Sequence, residues 1–396
     1  MDQSMLETLD MYKLGDELQK ARKRKGLTQE DAAKIINAAR TTITAIEKGE
    51  RRIKASELDA LAHAYGCQVS DFVRDRPQLE PFVVQFRASV GRTEEDEEII
   101  TPYIDQLEHY CRYYLELEQL TQSPLRRKYP PISSLHGLKA EQAAEIVALE
   151  ERNRLGLGDG PLPVLRDILE QDVGLRIFYL EMPTNFSAMY LYTEQLGGCI
   201  AINKAHPEER RRWSLAHDYG HFLAHRYRPT VSYDDKYRRV PESERFADAF
   251  AAYFLMPTSS VTRQYGEIQR KGNPTLADLG NLAHYYGVSF QALVLRLEEM
   301  KFLPSGTWRK LQDRGLKTRE LQRRLGHGDF PAREEQFPLR YTLLAFEALR
   351  QGLIIEGYFA RLLQVSRLEA AKIEAELREL TQHVEEQPPS DQFTQS

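Results

Sequence analysis

The sequence predicts a mainly α, multidomain protein: an all-α helix-turn-helix bundle at the N terminus, a central α+β domain and a C-terminal helical domain. Three observations predict it. Apolar residues recur at helical spacing over most of the chain. Three short β-rich runs, "LRIFYL" (175–180), "SAMYLY" (187–192) and "GGCIAIN" (197–203), cluster in the middle and are bounded by turn residues. At 396 residues the chain exceeds one ordinary core. The expected boundaries are 1–78 for the bundle, 79–135 for an acidic and helical connector, 136–300 for the central domain, 301–380 for the C-terminal helices and 381–396 for a polar, disordered tail.

Composition narrows the class. With 41% hydrophobic and 29% charged residues and a net charge of −5, the chain reads as an ordinary globular protein. Its longest apolar run, "AFAAYFLM" (249–256), is far too short to span a bilayer, and the acidic "MDQSMLETLD" start is unlike a signal peptide, so no membrane partner and a cytoplasmic location are expected. Cys67, Cys111 and Cys199 are isolated and odd in number, which argues against a disulfide framework and against cysteine-held zinc. Charge is unevenly spread. Residues 20–54 carry eleven Lys/Arg against four Asp/Glu, pointing to a polyanionic partner, while "TEEDEE" (93–98) reads as a solvated linker.

The basic block is also the block of short helices. "KLGDELQKARKRKG" places Leu14, Leu18 and Ala21 on one face and stops at Gly26, a left-handed cap. In "LTQEDAAKIIN", Thr28 is the N-cap and Asp31 sits three residues on, in the capping-box position, with Ala32 small enough for a close crossing. "AARTTITAIEKGERR" turns Ile43 and Ile46 inward and leaves Arg40, Thr41, Thr42 and Thr44 outward, and Gly49 ends it. Short polar side chains at the start of such a second helix suit the major groove of double-stranded DNA, with Arg40 the candidate for a guanine contact. Gln29, Lys48, Arg51 and Arg52 are placed for phosphates, which fix register rather than sequence. A helical bundle with an incidentally basic surface is the alternative. Residues 14–73 resemble XRE-type (lambda-repressor-like) DNA-binding domains, with "LTQEDAA", "TTITAIEKGERR" and "LDALAHAYG" in the family order. That resemblance implies operator binding, and binding as a homodimer on two half-sites.

The central chemistry lies in "SLAHDYGHFLAHR" (214–226), where His217 and His221 stand one helical turn apart. Trp213, Ala216, His217, Gly220, His221 and Ala224 share a face, and a helix-interior glycine costs about 1 kcal/mol relative to alanine, so Gly220 implies the close approach of another element. The next helix, "ESERFADAFAAYFL", opens after Pro241, ends before Pro257 and carries Glu244 and Asp248 one turn apart. Glu244 completes a His2Glu set for Zn2+, leaving the fourth position for water, and Asp248 is placed to orient an imidazole through its second N–H. Two histidines on a buried face are also commonly hydrogen-bonded core residues, and a Glu-x-x-x-Asp pair is commonly solvated surface. Yet both pairs sit on helices otherwise lined with Ala, Phe and Leu, where an unpaired charge is costly.

Residues 150–257 resemble the ImmA/IrrE family of zinc metallopeptidase domains, through "RLGLGDGPLPVLRDILE", "GGCIAIN", "ERRRWSLAHDYGHFLAHR" and "ESERFADAFAAYFLMP". The resemblance implies a zincin-like fold, zinc held by His217, His221 and Glu244, and cleavage of a repressor protein under stress. Asp218 stands where the family has its general-base glutamate, and many relatives have Asn at the place of Asp248. A general base must come within about 2.6–3.2 Å of the water it activates, and a ~1 Å misplacement can cost on the order of 10²-fold, so a weakened peptidase is expected. "GGCIAIN" is the expected exposed edge for a substrate strand. Tyr190 and His225 are candidate oxyanion partners. "TLADLGNLAHYYGVSFQALVLRLEEM" (275–300) echoes 55–75 and reads as packing helices rather than a second DNA reader, and "LRYTLLAFEALRQGLIIEGYFARLLQVSRLEAAKIEAELREL" adds three helices, a dimerisation or sensing element. The function expected is a DNA-binding transcriptional regulator whose peptidase-like domain couples a stress or ligand signal to operator occupancy. The alternative keeps the fold but drops the chemistry, leaving a sensing module.

Overall fold

The computed structural model describes residues 10–65, 69, 72, 82, 86, 94–133, 137–233, 241–327 and 336–386. Cys67, most of the expected linker before residue 93 and the tail from 387 lie outside the described residues. The chain divides into two units, 1–77 and 78–396. It is mainly helical, with one four-stranded sheet in the second unit.

The first unit holds α1 (Met11–Arg24), α2 (Gln29–Ile35), α3 (Arg40–Glu47) and α4 (Ala55–Tyr65). Thr28 Oγ accepts from Asp31 N–H while the Asp31 carboxylate accepts from Thr28 N–H, so the capping box forms and satisfies two of the otherwise orphaned donors at the start of α2. Gly26 closes α1 at a φ of 71°. Gly49 needs its φ of 70° too, and a Cβ there would lie 2.8 Å from the backbone of Tyr12. Leu14, Leu18, Ala32, Ile43, Ile46, Leu58 and Leu61 form the core. Beside that core Arg22 grips Glu47 through Nε (2.6 Å) and Nη2 (3.1 Å), a bidentate pair buried between α1 and α3.

In the second unit α5 (Glu94–Leu120) precedes α6 (Ala140–Arg154), and α7 (Leu165–Ile168) continues directly into a π-helical turn, Leu169–Val173. The acidic run 93–98, expected as a solvated linker, is helical from Glu94 onward, as the start of α5. Then come β1 (Arg176–Leu180), β2 (Phe186–Thr193), β3 (Gly197–Asn203), α8 (Glu208–Ala224), β4 (Thr230–Tyr233) and α9 (Glu242–Leu255). The strand order is β1-β3-β2-β4, with β1 parallel to β3 and the other pairings antiparallel. The three expected strands are present and β4 is an addition. "GGCIAIN" is not an edge: β3 lies between β1 and β2 with every residue buried, because the β2–β3 hairpin folds it back inside the sheet.

Alternation along the strands feeds two cores. Ile177, Tyr179, Ala188, Tyr190, Ile200 and Ile202 face the core built with α6, α8 and α9. Phe178, Leu180, Met189, Leu191, Cys199 and Ala201 face a second core, built from α5 together with α15 (Leu339–Arg350), α16 (Glu356–Leu362) and α17 (Arg367–Glu386). The expected connector and the expected C-terminal domain thus seal the far face of the sheet. The first six residues assigned to the tail, 381–386, continue α17. Between α9 and α15 run α10 (Thr258–Lys271), α11 (Leu276–Tyr286), α12 (Phe290–Glu299), α13 (Thr307–Asp313) and α14 (Thr318–Arg324). Leu279, Leu282, Tyr286, Leu293 and Leu297 of α11 and α12 are buried in the first core, so the 275–300 repeat of the earlier pattern is spent on packing.

Glu170, in the π turn, is buried against α5, where the Tyr114 hydroxyl donates to its Oε1 at 2.8 Å. Burial raises its pKa from 4.5 to about 7, against the opposing pull of Tyr114, Arg166 and Arg340. Since the folded value lies above the unfolded one, this group's stabilisation is full below about pH 4.5 and is lost as pH rises through about 7. Glu170→Gln keeps an acceptor for Tyr114 and removes the titration. It is expected to flatten the fall in urea-unfolding free energy between pH 5 and pH 8 by on the order of 3 kcal/mol. Identical pH slopes for the two proteins would refute the assignment.

Candidate metal centre and nucleic-acid face

α8 is buried on nearly all sides, with all of Arg211–Leu223 inside except the half-buried Trp213. α9 crosses it closely, and Gly220 is the reason it can: a Cβ there would meet the Phe250 ring at 3.0 Å. The crossing brings the three expected ligands together. His217 Nε2 lies 3.1 Å from His221 Nε2, Glu244 Oε2 lies 3.3 Å from His217 Nε2, and Glu244 Oε1 lies 3.4 Å from His221 Nε2. Ligands about 2.0–2.1 Å from a tetrahedral zinc are spaced about 3.3 Å apart, so these distances fit one face of such a tetrahedron. His217 Nδ1 donates to Asp248 Oδ1 at 2.9 Å, which fixes the tautomer and turns Nε2 inward. His221 Nδ1 is buried with no such partner.

The electrostatics favour a cation among these groups. Burial disfavours a charge on His217, but the hydrogen bonds to Asp248 and Glu244 outweigh it and push its pKa up to about 10. Burial and the neighbouring His217 hold His221 down. Glu244 is desolvated, yet the two imidazoles keep its carboxyl far below the usual range. Among the described residues Glu244 pairs with no Lys or Arg, so a metal or a proton is its counter-charge, and metal binding must displace the proton on His217. Donor set, spacing and charge all fit zinc.

Asp218 is fully buried. Its Oδ1 lies 3.4 Å from Ser232 Oγ on β4, and its Oδ2 has no hydrogen-bond partner. Burial, with a contribution from Glu244 and against that of His217, raises its pKa to about 7. A carboxyl poised near neutrality beside the His217, His221 and Glu244 side chains is suited to proton transfer. Tyr190 is not available to an oxyanion, because its hydroxyl, within the core, donates to the Arg226 carbonyl at 2.6 Å. His225 lies next to His221, ring centroids 5.6 Å apart, and burial pulls its pKa down to about 4.

On the first unit, Arg40, Thr41, Lys48 and Arg52 are exposed on or just beyond α3, and Thr42 is half-buried. Three of the expected contact residues also make bonds within the module. Gln29 Nε2 donates to Glu47 at 2.9 Å, Thr44 Oγ donates to Gln29 Oε1 at 3.2 Å, and Arg51 forks onto Glu57 at 3.0 and 2.9 Å. The pattern of outward residues did not reveal these bonds, because a glutamate within reach of an arginine or glutamine is a tertiary fact. Ser232 was likewise missed, since four residues of strand give little periodicity.

Comparison with known proteins agrees with both halves. Residues 18–72 match the family model for a helix-turn-helix, and residues 170–298 match that for the IrrE N-terminal-like domain, peptidase M78. No curated protein matches the chain. Two solved structures align over most of it at 12% identity: PlcR from Bacillus thuringiensis in complex with the peptide PapR7 and DNA, covering 94% of this chain and 98% of that one with a TM-score of 0.17, and ComR from Streptococcus suis, covering 96% and 97% with a TM-score of 0.16. Among the described residues no helix is long and apolar enough to cross a membrane. The chain therefore joins a helix-turn-helix module to an IrrE N-terminal-like peptidase M78 domain, a combination that points to a DNA-binding regulator.

Proposed function

We propose that this protein is a cytoplasmic, homodimeric transcriptional regulator that couples a stress or ligand signal to operator occupancy through limited proteolysis of a repressor, or of itself. The observation that carries this reading is the presence, in one chain, of a helix-turn-helix with an exposed Arg40 and of His217, His221 and Glu244 converging at 3.1–3.4 Å. His217, His221 and Glu244 would hold zinc, which when bound acidifies a water and polarises a carbonyl. Asp218 would take the proton from that water, and Asp248 would keep the His217 imidazole oriented. Among the described residues β4 pairs only with β2 and carries Ser232 beside Asp218, so a substrate strand added along its other side would pass the base. A second reading, a binding module without chemistry, is favoured by one feature: Asp218 is short, fully buried and in contact with Ser232.

The DNA half is tested by selecting a site from random duplexes and measuring affinity by gel shift. Arg40→Ala is expected to weaken the selected site by roughly 5- to 150-fold, the usual discrimination of a bidentate guanine contact, and to relax sequence preference there. Lys48→Ala and Arg52→Ala should instead lower the salt dependence of binding with sequence preference kept. No affinity for duplex DNA at low salt, or none lost with Arg40→Ala, would refute it.

A further inference from the structure

Behind α8, on the side away from the metal trio, lies a cavity of about 270 Å³. Glu208, Arg212 and Leu215 line it, roughly 140–180° around the helix from His217. The other walls are α7, Tyr179 of β1 and Leu339 of α15, so it sits where the two halves of the second unit meet, a preferred place for small-molecule sites. One wall leads straight into the π-helical turn 169–173, a distortion that recurs at functional sites.

Its chemistry is uneven. Val164, Leu165, Leu215 and Leu339 give it aliphatic lining. Arg212 and Arg166 also line it, the latter stacked over Tyr179 at 4.3 Å. Arg212 is only 6% exposed, and its three nitrogens donate to the carbonyls of Gly287 (3.0 Å), Pro163 (3.2 Å) and Leu162 (2.6 Å). Three bonds use three of its five N–H groups. Among the described residues no carboxylate hydrogen-bonds to it, the Glu208 carboxylate supporting its charge only through space, whereas the buried Arg22, Arg176 and Arg211 hold one directly at 2.6, 2.7 and 2.5 Å. Arg152 and Arg226 also rely on carbonyls, but they are not on this wall. Two carboxyls do line the cavity: Glu208, whose charge is shared between a direct bond to Arg211 and the more distant Arg212, and Asp167, next to Arg166 in sequence. A buried cation bonded only to neutral dipoles is costly, and an anion in the cavity would offset that cost.

We propose that this cavity binds a small aliphatic monocarboxylate, its head on Arg212 and Arg166 and its tail against Val164, Leu215 and Leu339. At about 30 Å³ per molecule of liquid water the space suits roughly nine non-hydrogen atoms, the size of a six- to eight-carbon acid. The inference deepens the regulatory reading by naming the class of signal, since α8 presents Arg212 and Leu215 to the ligand and His217 and His221 to the metal. It does not depend on proteolysis or on DNA binding.

The test uses the full chain titrated with hexanoate and octanoate by calorimetry and thermal shift, with hexanol and octanol as controls. Saturable binding of an acid with Kd of about 0.1–1 mM is expected, at least tenfold tighter than that of the matched alcohol. Val164 and Leu339 are 47% and 39% exposed, so Val164→Trp and Leu339→Trp can fill the cavity without entering the core. Both should abolish the response to acid while leaving the unliganded Tm within a degree or two. Absence of saturable binding, alcohols that bind as well as acids, or acid binding that survives both tryptophans would each overturn the proposal. None of these results would bear on the metal centre or the DNA module.

Discussion

Alanine in place of His217 is expected to strip the purified protein of zinc, from about one ion per chain to a trace. The three donors are shared between α8 and α9, and the imidazole removed is the one that touches His221, Glu244 and Asp248 at once. Asp248→Ala removes only the group that orients His217, and the loss of such a partner typically costs roughly 10–100-fold in metal affinity. The direct ligand should cost more, so competition titration with a chromophoric chelator should rank wild type, then Asp248→Ala, then His217→Ala. Metal bound only by the folded state also stabilises it, by about 4 kcal/mol at a free concentration a thousand times Kd. Chelation should therefore lower the Tm of the wild type and leave that of His217→Ala unchanged. Equal metal content in wild type and His217→Ala would remove the basis for any metallopeptidase reading.

The second large effect concerns Asp218. Its side chain is one methylene shorter than glutamate, and displacing a base by ~1 Å can cost on the order of 10²-fold. On the peptidase reading, Asp218→Glu should raise turnover of fluorescent casein by the zinc-loaded protein by up to that factor. Asp218→Asn, which preserves shape, should bring turnover to background. The site is fully buried, so the added methylene of Asp218→Glu carries an overpacking cost of about 1–3 kcal/mol, and unfolding must be followed in parallel. The isosteric Asn variant is free of that complication. If wild type, Glu and Asn variants all stay at background with zinc bound, Asp218 is a structural residue held by Ser232 and the binding-module reading stands.

Much of this was legible in the sequence, for reasons that are local. The Thr28–Asp31 box, the αL glycine at 26 and the one-turn spacing of His217 and His221 need only a few consecutive residues to specify their geometry. Gly220 announced a close crossing, and Phe250 is what it admits. What escaped was set at long range. The strands' near-continuous apolar runs are those of a sheet buried on both faces, yet nothing in them names α5 and α15–α17 as the second cover. With 54 basic and 59 acidic residues, the pairings Arg22–Glu47 and Arg51–Glu57 cannot be read from spacing, and they decide which polar groups of the first unit remain outward.

The covering of the sheet by helices from both ends of the second unit also bears on biosynthesis. Chains emerge from the ribosome N terminus first, and domains fold as units when their parts are out. The first unit needs only contacts near in sequence and can close early. Phe178, Met189 and Leu191, by contrast, wait for Tyr341, Phe359 and Leu363, which are made much later. Until the last helices arrive, the nascent chain exposes a sticky β surface while the helix-turn-helix module is already folded, a window in which a holding chaperone would matter most.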